Sequence, residues 1–198
     1  MKALFLAVLL LFNSGIANFN VKKITFKEYS LKVDVHSSRV NWHAEKATGS
    51  HDGTINVYTG KLNFSGNKLT GGYILIDMQS LKVTDLTSPR KEQLESNLKG
   101  DNFFDTGRFT VARFDISRVD YVDPTDLRKV SITGNLDMHG VTRQIVLKTG
   151  IQPGAAGTFT ARTDVTINRR DWNIATEDFK YNHFISPDIK LQILLKAS

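Results

Sequence analysis

Apolar and polar residues alternate through most of the chain after Leu31. The segment from Lys129 to Met138 shows this most clearly, because every second residue from Val130 onward is apolar or glycine. Successive side chains of a β-strand point to opposite faces, so each such segment predicts a strand with one apolar and one polar face. A sheet of these strands must hide its apolar faces by closing into a barrel or by stacking.

Nine alternating segments are separated by short stretches rich in Gly, Asn, Asp, Ser and Pro, which are typical of turns. They cover residues 31–36, 38–47, 55–65, 68–79, 109–119, 129–138, 141–149, 158–168 and 189–195. The third segment predicts either one strand or two strands that are separated near Gly60, and the Gly71-Gly72 pair predicts a bend or bulge. Eight or nine antiparallel strands suit a closed barrel that can hold one guest molecule. Inward side chains could instead fill such a barrel as a solid core.

Residues 88–104 break the alternation. Pro89 suits the first turn of a helix, with Ser88 as its N-cap, and Leu94 and Leu98 fall four residues apart on one face. This pattern predicts one inserted helix over residues 89–99, followed by an aromatic loop. The helix could lie over an open end of the barrel or simply cross between two strands.

The N-terminus resembles a secretory signal peptide. Lys2 precedes an apolar run over residues 3–12, and Gly15 and Ala17 provide small residues before a cleavage site. The run of about ten residues is too short to span a bilayer. We therefore expect a signal peptide over residues 1–17 and one exported domain over residues 18–198.

Composition excludes several kinds of chemistry. The chain has no cysteine, so disulfides, cysteine-ligated zinc and thiol nucleophiles are impossible. The formal net charge is +6, and the basic residues are scattered along the chain. This pattern argues against nucleic-acid binding but is compatible with transient contact with an anionic membrane surface.

Histidines are the main candidates for a metal site. His36, His43 and His51 could approach one another, but His43 falls on a polar face and His51 in a predicted turn. We therefore expect surface histidines and no metal site. Nucleophile triads, phosphate-binding loops and zinc-protease motifs are also absent from the sequence, so no catalytic residue is predicted.

Three blocks together resemble the YceI-like family of exported proteins. They are the charged helix and aromatic loop (residues 90–104), the strand–turn–strand segment ITGNLDMHGVTRQIVL (residues 132–147) and the late turn INRRDWNI (residues 167–174). The resemblance extends over residues 31–196 and implies a lipocalin-like extended β-barrel. Asp171 could pair with Arg169 or Arg170 in the late turn. Trp172 stands where the family usually has Phe, and its larger ring could narrow the mouth of the barrel.

The resemblance implies a periplasmic protein that holds a long isoprenoid chain, such as a quinone or polyprenyl lipid, for carriage or storage. It implies no enzyme activity and no cofactor other than the bound lipid. The alternatives are an exported enzyme or accessory acting on a quinone or polyprenyl derivative, and a structural barrel with a solid core. A homodimer is also possible. The residues expected to line the interior are Val40, Trp42, Ile74, Ile76, Met78, Leu94, Leu98, Phe103, Phe104, Ala112, Phe114, Ile116, Val130, Ile132, Leu136, Met138, Phe159, Val165, Ile167, Leu191 and Ile193.

Overall fold

The computed structural model describes residues 26–123, 125–154, 157–175 and 185–198. The predicted signal peptide therefore lies outside the described residues. The elements are β1 (Glu28–Lys32), β2 (Arg39–Lys46), β3 (Gly49–Ser65), β4 (Lys68–Val83), α1 (Arg90–Lys99), β5 (Val111–Tyr121), β6 (Lys129–Met138), β7 (Val141–Pro153), β8 (Phe159–Asn168), a 3₁₀ helix (Arg169–Trp172) and β9 (Ile185–Ala197).

Strands β2 to β9 form a closed, eight-stranded antiparallel barrel. Each strand pairs with the next one along the chain, and β9 pairs with β2 to complete the ring. Consecutive pairing makes this an up-and-down barrel, which leaves no unpaired edge in the ring. The predicted all-β barrel of about eight strands with one inserted helix is confirmed.

The two ends of the barrel differ. We call the end that carries α1, the 3₁₀ helix and the β6–β7 turn the helix end, and the opposite end the far end. At the far end β1 pairs with the last part of β3, from Lys61 to Ser65, beyond the reach of β2. Val33 then bridges to Ala197 of β9, so the chain covers the edge that β3 would otherwise expose.

The β6–β7 hairpin has the two-residue turn that the sequence predicts. Met138 pairs with Val141, which leaves His139 and Gly140 as the turn, with φ values of 53° and 74°. Two positive φ values match the right-handed twist of the flanking strands. His139 Nδ1 lies 3.2 Å from the carbonyl oxygen of Trp172, so this histidine has a structural role at the helix end.

Several strand limits differ from the predicted ones. The first strand lies over Glu28–Lys32, and residues 35–37 form a turn. Strand β3 is continuous: near Gly60 it contains a register shift between Val57 and Thr59 rather than a break. Such a bulge absorbs one extra residue without interrupting the strand. The predicted irregularity at Gly71-Gly72 is confirmed, since the register shifts again where Gly71 pairs with Asn63.

Helix α1 agrees with the predicted position, but its cap does not. Pro89 is the N-cap residue, and no side chain accepts a hydrogen bond from the first turn. Ser88 instead donates its hydroxyl to the carboxylate of Glu92. Glu95 fastens the helix to the barrel, because its Oε1 accepts a hydrogen bond from the backbone N–H of Val83 at 2.8 Å.

Candidate apolar ligand cavity

The barrel encloses an elongated cavity of about 330 Å³. Side chains from all eight barrel strands and from α1 contribute to its wall, and most of them are aliphatic or aromatic. At the far end Phe159 borders the cavity and packs edge-to-face against Phe64, with ring centroids 5.1 Å apart. The volume falls in the range of about 300–1,000 Å³ that is typical of small-molecule sites.

The inward side chains are not packed against one another throughout. Val165, Leu191 and Ile193 face the interior, yet they are only half-buried and line the cavity. In a solid core such residues would be fully buried, because protein interiors are close-packed. The interior of this barrel is therefore hollow.

Most residues that the alternation of apolar and polar positions places on the inner face of the barrel border the cavity. Of the residues expected to line the interior, all except Val130 border the cavity. Val130 is only 2% exposed, but it lies at the start of β6, at the far end of the barrel, where it packs in the hydrophobic core. Its inclusion in the lining was wrong, because alternation gives the face of a residue but not its height along the barrel.

The cavity wall also contains residues that the sequence prediction left out. The apolar ones are Ala44, Ile55, Val57, Leu62, Leu69, Leu81, Ile145, Leu147, Ala161, Ile185, Ile189 and Leu195. The polar ones are Glu45, Lys46, His51, Thr149, Thr163, Arg169 and Ser186. Lys46, His51 and Arg169 each continue the inward-facing series of their strand, so the period of two was a usable signal for them.

Helix α1 and the loop after it form part of the wall at the helix end. Leu94 and Leu98 share one face of α1 and border the cavity, as do Phe103 and Phe104. The two phenylalanine rings pack edge-to-face, with centroids 5.1 Å apart. The helix is therefore more than a crossover between β4 and β5, because its apolar face closes part of the cavity.

A polar rim lies at the helix end of the cavity and consists of Glu45, Lys46, His51 and Ser186. Glu45 and Lys46 are exposed, so the cavity reaches the surface here. Glu45 Oε1 accepts a hydrogen bond from Lys190 Nζ at 2.6 Å, and this bond holds the pKa of Glu45 below its usual value.

His51 of the rim forms a close pair with Asp85. His51 Nδ1 and Asp85 Oδ2 lie 2.8 Å apart, and the backbone N–H of Asp52 donates to Asp85 Oδ1 at 3.1 Å. Burial raises the pKa of Asp85, but the hydrogen bonds from His51 and Asp52 outweigh it and the net direction is downward. The carboxylate therefore ties the start of β3 to the segment after β4.

Arg169 is the most deeply buried charged residue of the cavity wall, with 0% of its surface exposed. Its Nη1 donates to the carbonyl oxygens of Ile174 (2.8 Å) and Ala175 (2.7 Å), and its Nε and Nη2 reach those of Ser186 and Ile185 at 3.4 Å. Burial, followed by the neighbouring charge of Arg170, lowers the pKa of Arg169.

The expected pairing within the late turn is not found. Among the described residues no ion pair joins Asp171 to Arg169 or Arg170; instead the carbonyl oxygen of Asp171 accepts a hydrogen bond from Arg143 Nε at 2.9 Å. Trp172 does not narrow the cavity either. It is 1% exposed, lies outside the cavity wall and donates its Nε1–H to the carbonyl oxygen of Leu136 at 3.1 Å.

The described ranges contain no group of three histidines or carboxylates that could hold a metal ion. His43 Nδ1 lies 2.8 Å from Asp52 Oδ1, in a partly exposed pair. Within those same ranges, none of the helices has the length and apolar character needed to cross a membrane.

The match to a family model settles the relationship of this chain to known proteins. The model of the YceI-like domain matches residues 31–197, which is most of the chain. The chain belongs to the YceI-like family. A UPF0312 protein of Shewanella denitrificans is 28% identical to it over 96 residues, which is 48% of this chain and 47% of that protein. The aligned region thus spans about half the length of this curated relative.

Solved structures have the same fold. BcnA of Burkholderia cenocepacia is 19% identical, with a TM-score of 0.72, and the match covers 84% of this chain and 99% of that one. A polyisoprenoid binding domain from Saccharophagus degradans, described as implicated in plant cell wall breakdown, is 18% identical. Its TM-score is 0.65, with 87% of this YceI-like chain and 99% of that chain covered. At these identities the likeness concerns the fold.

Proposed function

We propose that this YceI-like protein binds an isoprenoid chain, carried by a quinone or a polyprenyl lipid, inside its barrel. The observation that supports this most directly is the apolar cavity of about 330 Å³, whose wall includes exposed polar residues such as Lys46 at the rim. An amphiphile would place its tail among the apolar side chains and its head group at the rim. The Saccharophagus degradans domain, described as polyisoprenoid binding, supports the same class of ligand.

The cavity volume bears on how much of the chain is held. A group of the size of a water molecule takes up about 30 Å³, so the cavity of about 330 Å³ holds roughly eleven such groups. Burying that many CH₂-sized groups gains about 9 kcal/mol relative to water, before the cost of association is subtracted. A longer tail would extend past the rim or displace lining side chains. Relative to a membrane the gain is small, so we propose exchange with a bilayer and a role in carriage or storage, without catalysis.

To test this function, a bulky side chain is introduced into the cavity and the loss of bound lipid is measured. Leu136 borders the cavity and is half-buried, whereas its neighbour Asn135 is exposed on the outer face of β6. We expect Leu136→Trp to fold but to lose its lipid, and Asn135→Trp to fold and keep it. Lipid extracted from protein purified from its native host would be identified by mass spectrometry. An empty wild-type protein, or a guest without isoprene units, would overturn the proposal.

We also propose that the protein is exported to the periplasm and contacts membrane surfaces there. The support is the basic, apolar and small-residue pattern of residues 1–17 together with the net charge of +6. Cell fractionation and N-terminal sequencing of the mature protein would test this. Cleavage after Ala17 is the expected result, and an uncleaved protein retained in the cytoplasm would contradict it.

A further inference from the structure

Two large aromatic side chains of the cavity wall each lie against a glycine of the neighbouring strand. Phe114 of β5 lies over Gly134 of β6, and Trp42 of β2 lies over Gly53 of β3. A Cβ placed on Gly134 would come within 2.5 Å of Phe114 Cε2. One placed on Gly53 would overlap the six-membered ring of Trp42 and also the carbonyl oxygen of Lys82. Only glycine, whose side chain is a hydrogen atom, leaves room for the neighbouring aromatic ring at these two positions.

Both glycines face the interior by their position in the strand. Gly134 continues the inward series of Ile132 and Leu136, and Gly53 that of Ile55. Both glycines are buried, yet neither borders the cavity, because the aromatic ring of the neighbouring strand covers it. Each ring therefore occupies space next to the wall that an inward side chain would otherwise fill.

Packing, and not hydrogen bonding, fixes the position of the Trp42 ring. Trp42 is 8% exposed, and its buried Nε1 has no hydrogen-bond partner within the described part of the chain. An unpaired buried donor is unfavourable, so the position of the ring depends on its packing in the core, with Gly53 on one side. Phe114 has no polar atom, and its position likewise depends on the space above Gly134.

The location of these pairs matters for access to the cavity. Phe114 lies near the start of β5, and Trp42, in the middle of β2, pairs with Gly53, which in turn pairs with Val83 at the end of β4. Both rings therefore belong to the half of the barrel nearer the helix end. Both rings border the cavity, so a chain that extends inward from the polar rim would run alongside them. If either ring were displaced from its glycine, it would move toward the axis of the barrel and narrow the passage.

We infer that Gly134 and Gly53 determine the width of the cavity, by allowing Phe114 and Trp42 to lie flat against the wall so that a methyl-branched chain can pass. This inference rests on the proposed function, because it concerns selection among apolar chains at the same site. An isoprenoid chain carries regularly spaced methyl branches and needs a wider passage than an unbranched chain of equal length. A difference of one methyl group between two ligands of an apolar pocket changes their relative affinity about tenfold or more.

The experiment compares a branched and an unbranched guest in the full-length mature protein. The probes are geranylgeraniol and hexadecan-1-ol, whose main chains are equally long, and each displaces a fluorescent lipid from delipidated protein. We expect Gly134→Ala to lower affinity for geranylgeraniol at least about tenfold more than affinity for hexadecan-1-ol. Gly150→Ala is the matched control, because its Cβ would lie 3.8 Å from the nearest atom, Arg162 O, on an exposed part of β7.

A second variant keeps the test valid if Gly134→Ala folds poorly, since its Cβ would also lie 2.6 Å from the carbonyl oxygen of Asp115. Phe114→Ala removes the ring and widens the passage, and we expect it to bind cholesterol at least about tenfold more tightly than the wild type does. Unchanged probe preference in Gly134→Ala, or unchanged cholesterol affinity in Phe114→Ala where only that variant folds, would overturn the inference. Wild-type protein that binds neither alcohol would instead contradict the proposed function.

Discussion

The guanidinium carbon of Arg169 lies 5.5 Å from the centroid of the Phe103 ring, in a cation–π contact between the 3₁₀ helix and the loop that follows α1. The same guanidinium donates to the carbonyl groups of Ile174 and Ala175 on one side and approaches those of Ile185 and Ser186 on the other. One buried cation thus connects several backbone segments that meet at the helix end.

Replacing Arg169 is therefore expected to destabilise the barrel strongly. Arg169→Met would remove the hydrogen bonds that the guanidinium donates, including the one to the carbonyl group of the buried Ile174, and we expect a loss of about 2–4 kcal/mol in the free energy of unfolding. Arg170→Met is the matched control, since Arg170 is exposed, and should change stability by less than about 0.5 kcal/mol. Urea denaturation measures both. Equal effects of the two substitutions would mean that the buried hydrogen bonds of Arg169 contribute little.

A pair of adjacent glycines in β4 offers a second test. Gly72 has a φ of 140°, and a Cβ there would overlap the carbonyl oxygen of Lys61. We expect Gly72→Ala to cost about 2 kcal/mol or more, because both backbone strain and steric overlap oppose it. At Gly71 the nearest atom would be Ile116 O at 3.8 Å, so Gly71→Ala should cost less than about 1 kcal/mol. Thermal or urea unfolding of the two variants gives the comparison, and a reversed order would contradict it.

Alternation made the barrel and most of its interior predictable from sequence. In β8 the series Ala161, Thr163, Val165 and Ile167 faces inward, and its next member is Arg169. The period was therefore sufficient to place Arg169 inside. An arginine two residues from an aspartate in a turn more often forms an ion pair, however. The carbonyl groups that allow Arg169 to be buried come from the residues after the 3₁₀ helix and from the start of β9, which only the folded structure brings together.

The hollow interior was not predictable in the same way. Leu136 and Ile132 share a face of β6 in either a packed or an open barrel, since alternation does not report what occupies the other side of that face. The two glycine–aromatic contacts show the same limit. From the sequence, Gly134 is a small residue on an apolar strand face, and only the neighbouring strand shows that Phe114 fills the space beside it.

Trp172 gives a third prediction, which separates stability from binding. Its Nε1–H donates to the carbonyl oxygen of Leu136, and its ring lies outside the cavity wall. Trp172→Phe should lower the free energy of unfolding by about 1–3 kcal/mol, because it removes the donor and part of a buried ring. Affinity for geranylgeraniol should stay within about twofold, well below the tenfold effect of a lost methylene contact. A large change in affinity with unchanged stability would show that Trp172 acts at the mouth of the barrel.

The contact between His51 and Asp85 leads to a pH-dependent prediction. The folded-state pKa of Asp85 lies below the ordinary value of 3.8 for an aspartate, despite the opposing effect of burial. A carboxyl group with a lowered pKa stabilises the fold fully above its unfolded pKa, and this contribution is lost as the pH falls through the folded value.

We therefore expect wild-type protein to lose stability relative to Asp85→Asn as the pH falls from about 5 to below about 3. The other carboxyl groups with lowered pKa values, such as those of Asp34 and Glu45, are present in both proteins, so their contributions cancel in the difference. Urea unfolding at a series of pH values gives this difference directly. Parallel stability curves for the two proteins would show that the bonds from His51 and from the Asp52 N–H do not favour the charged form of Asp85 in the folded state.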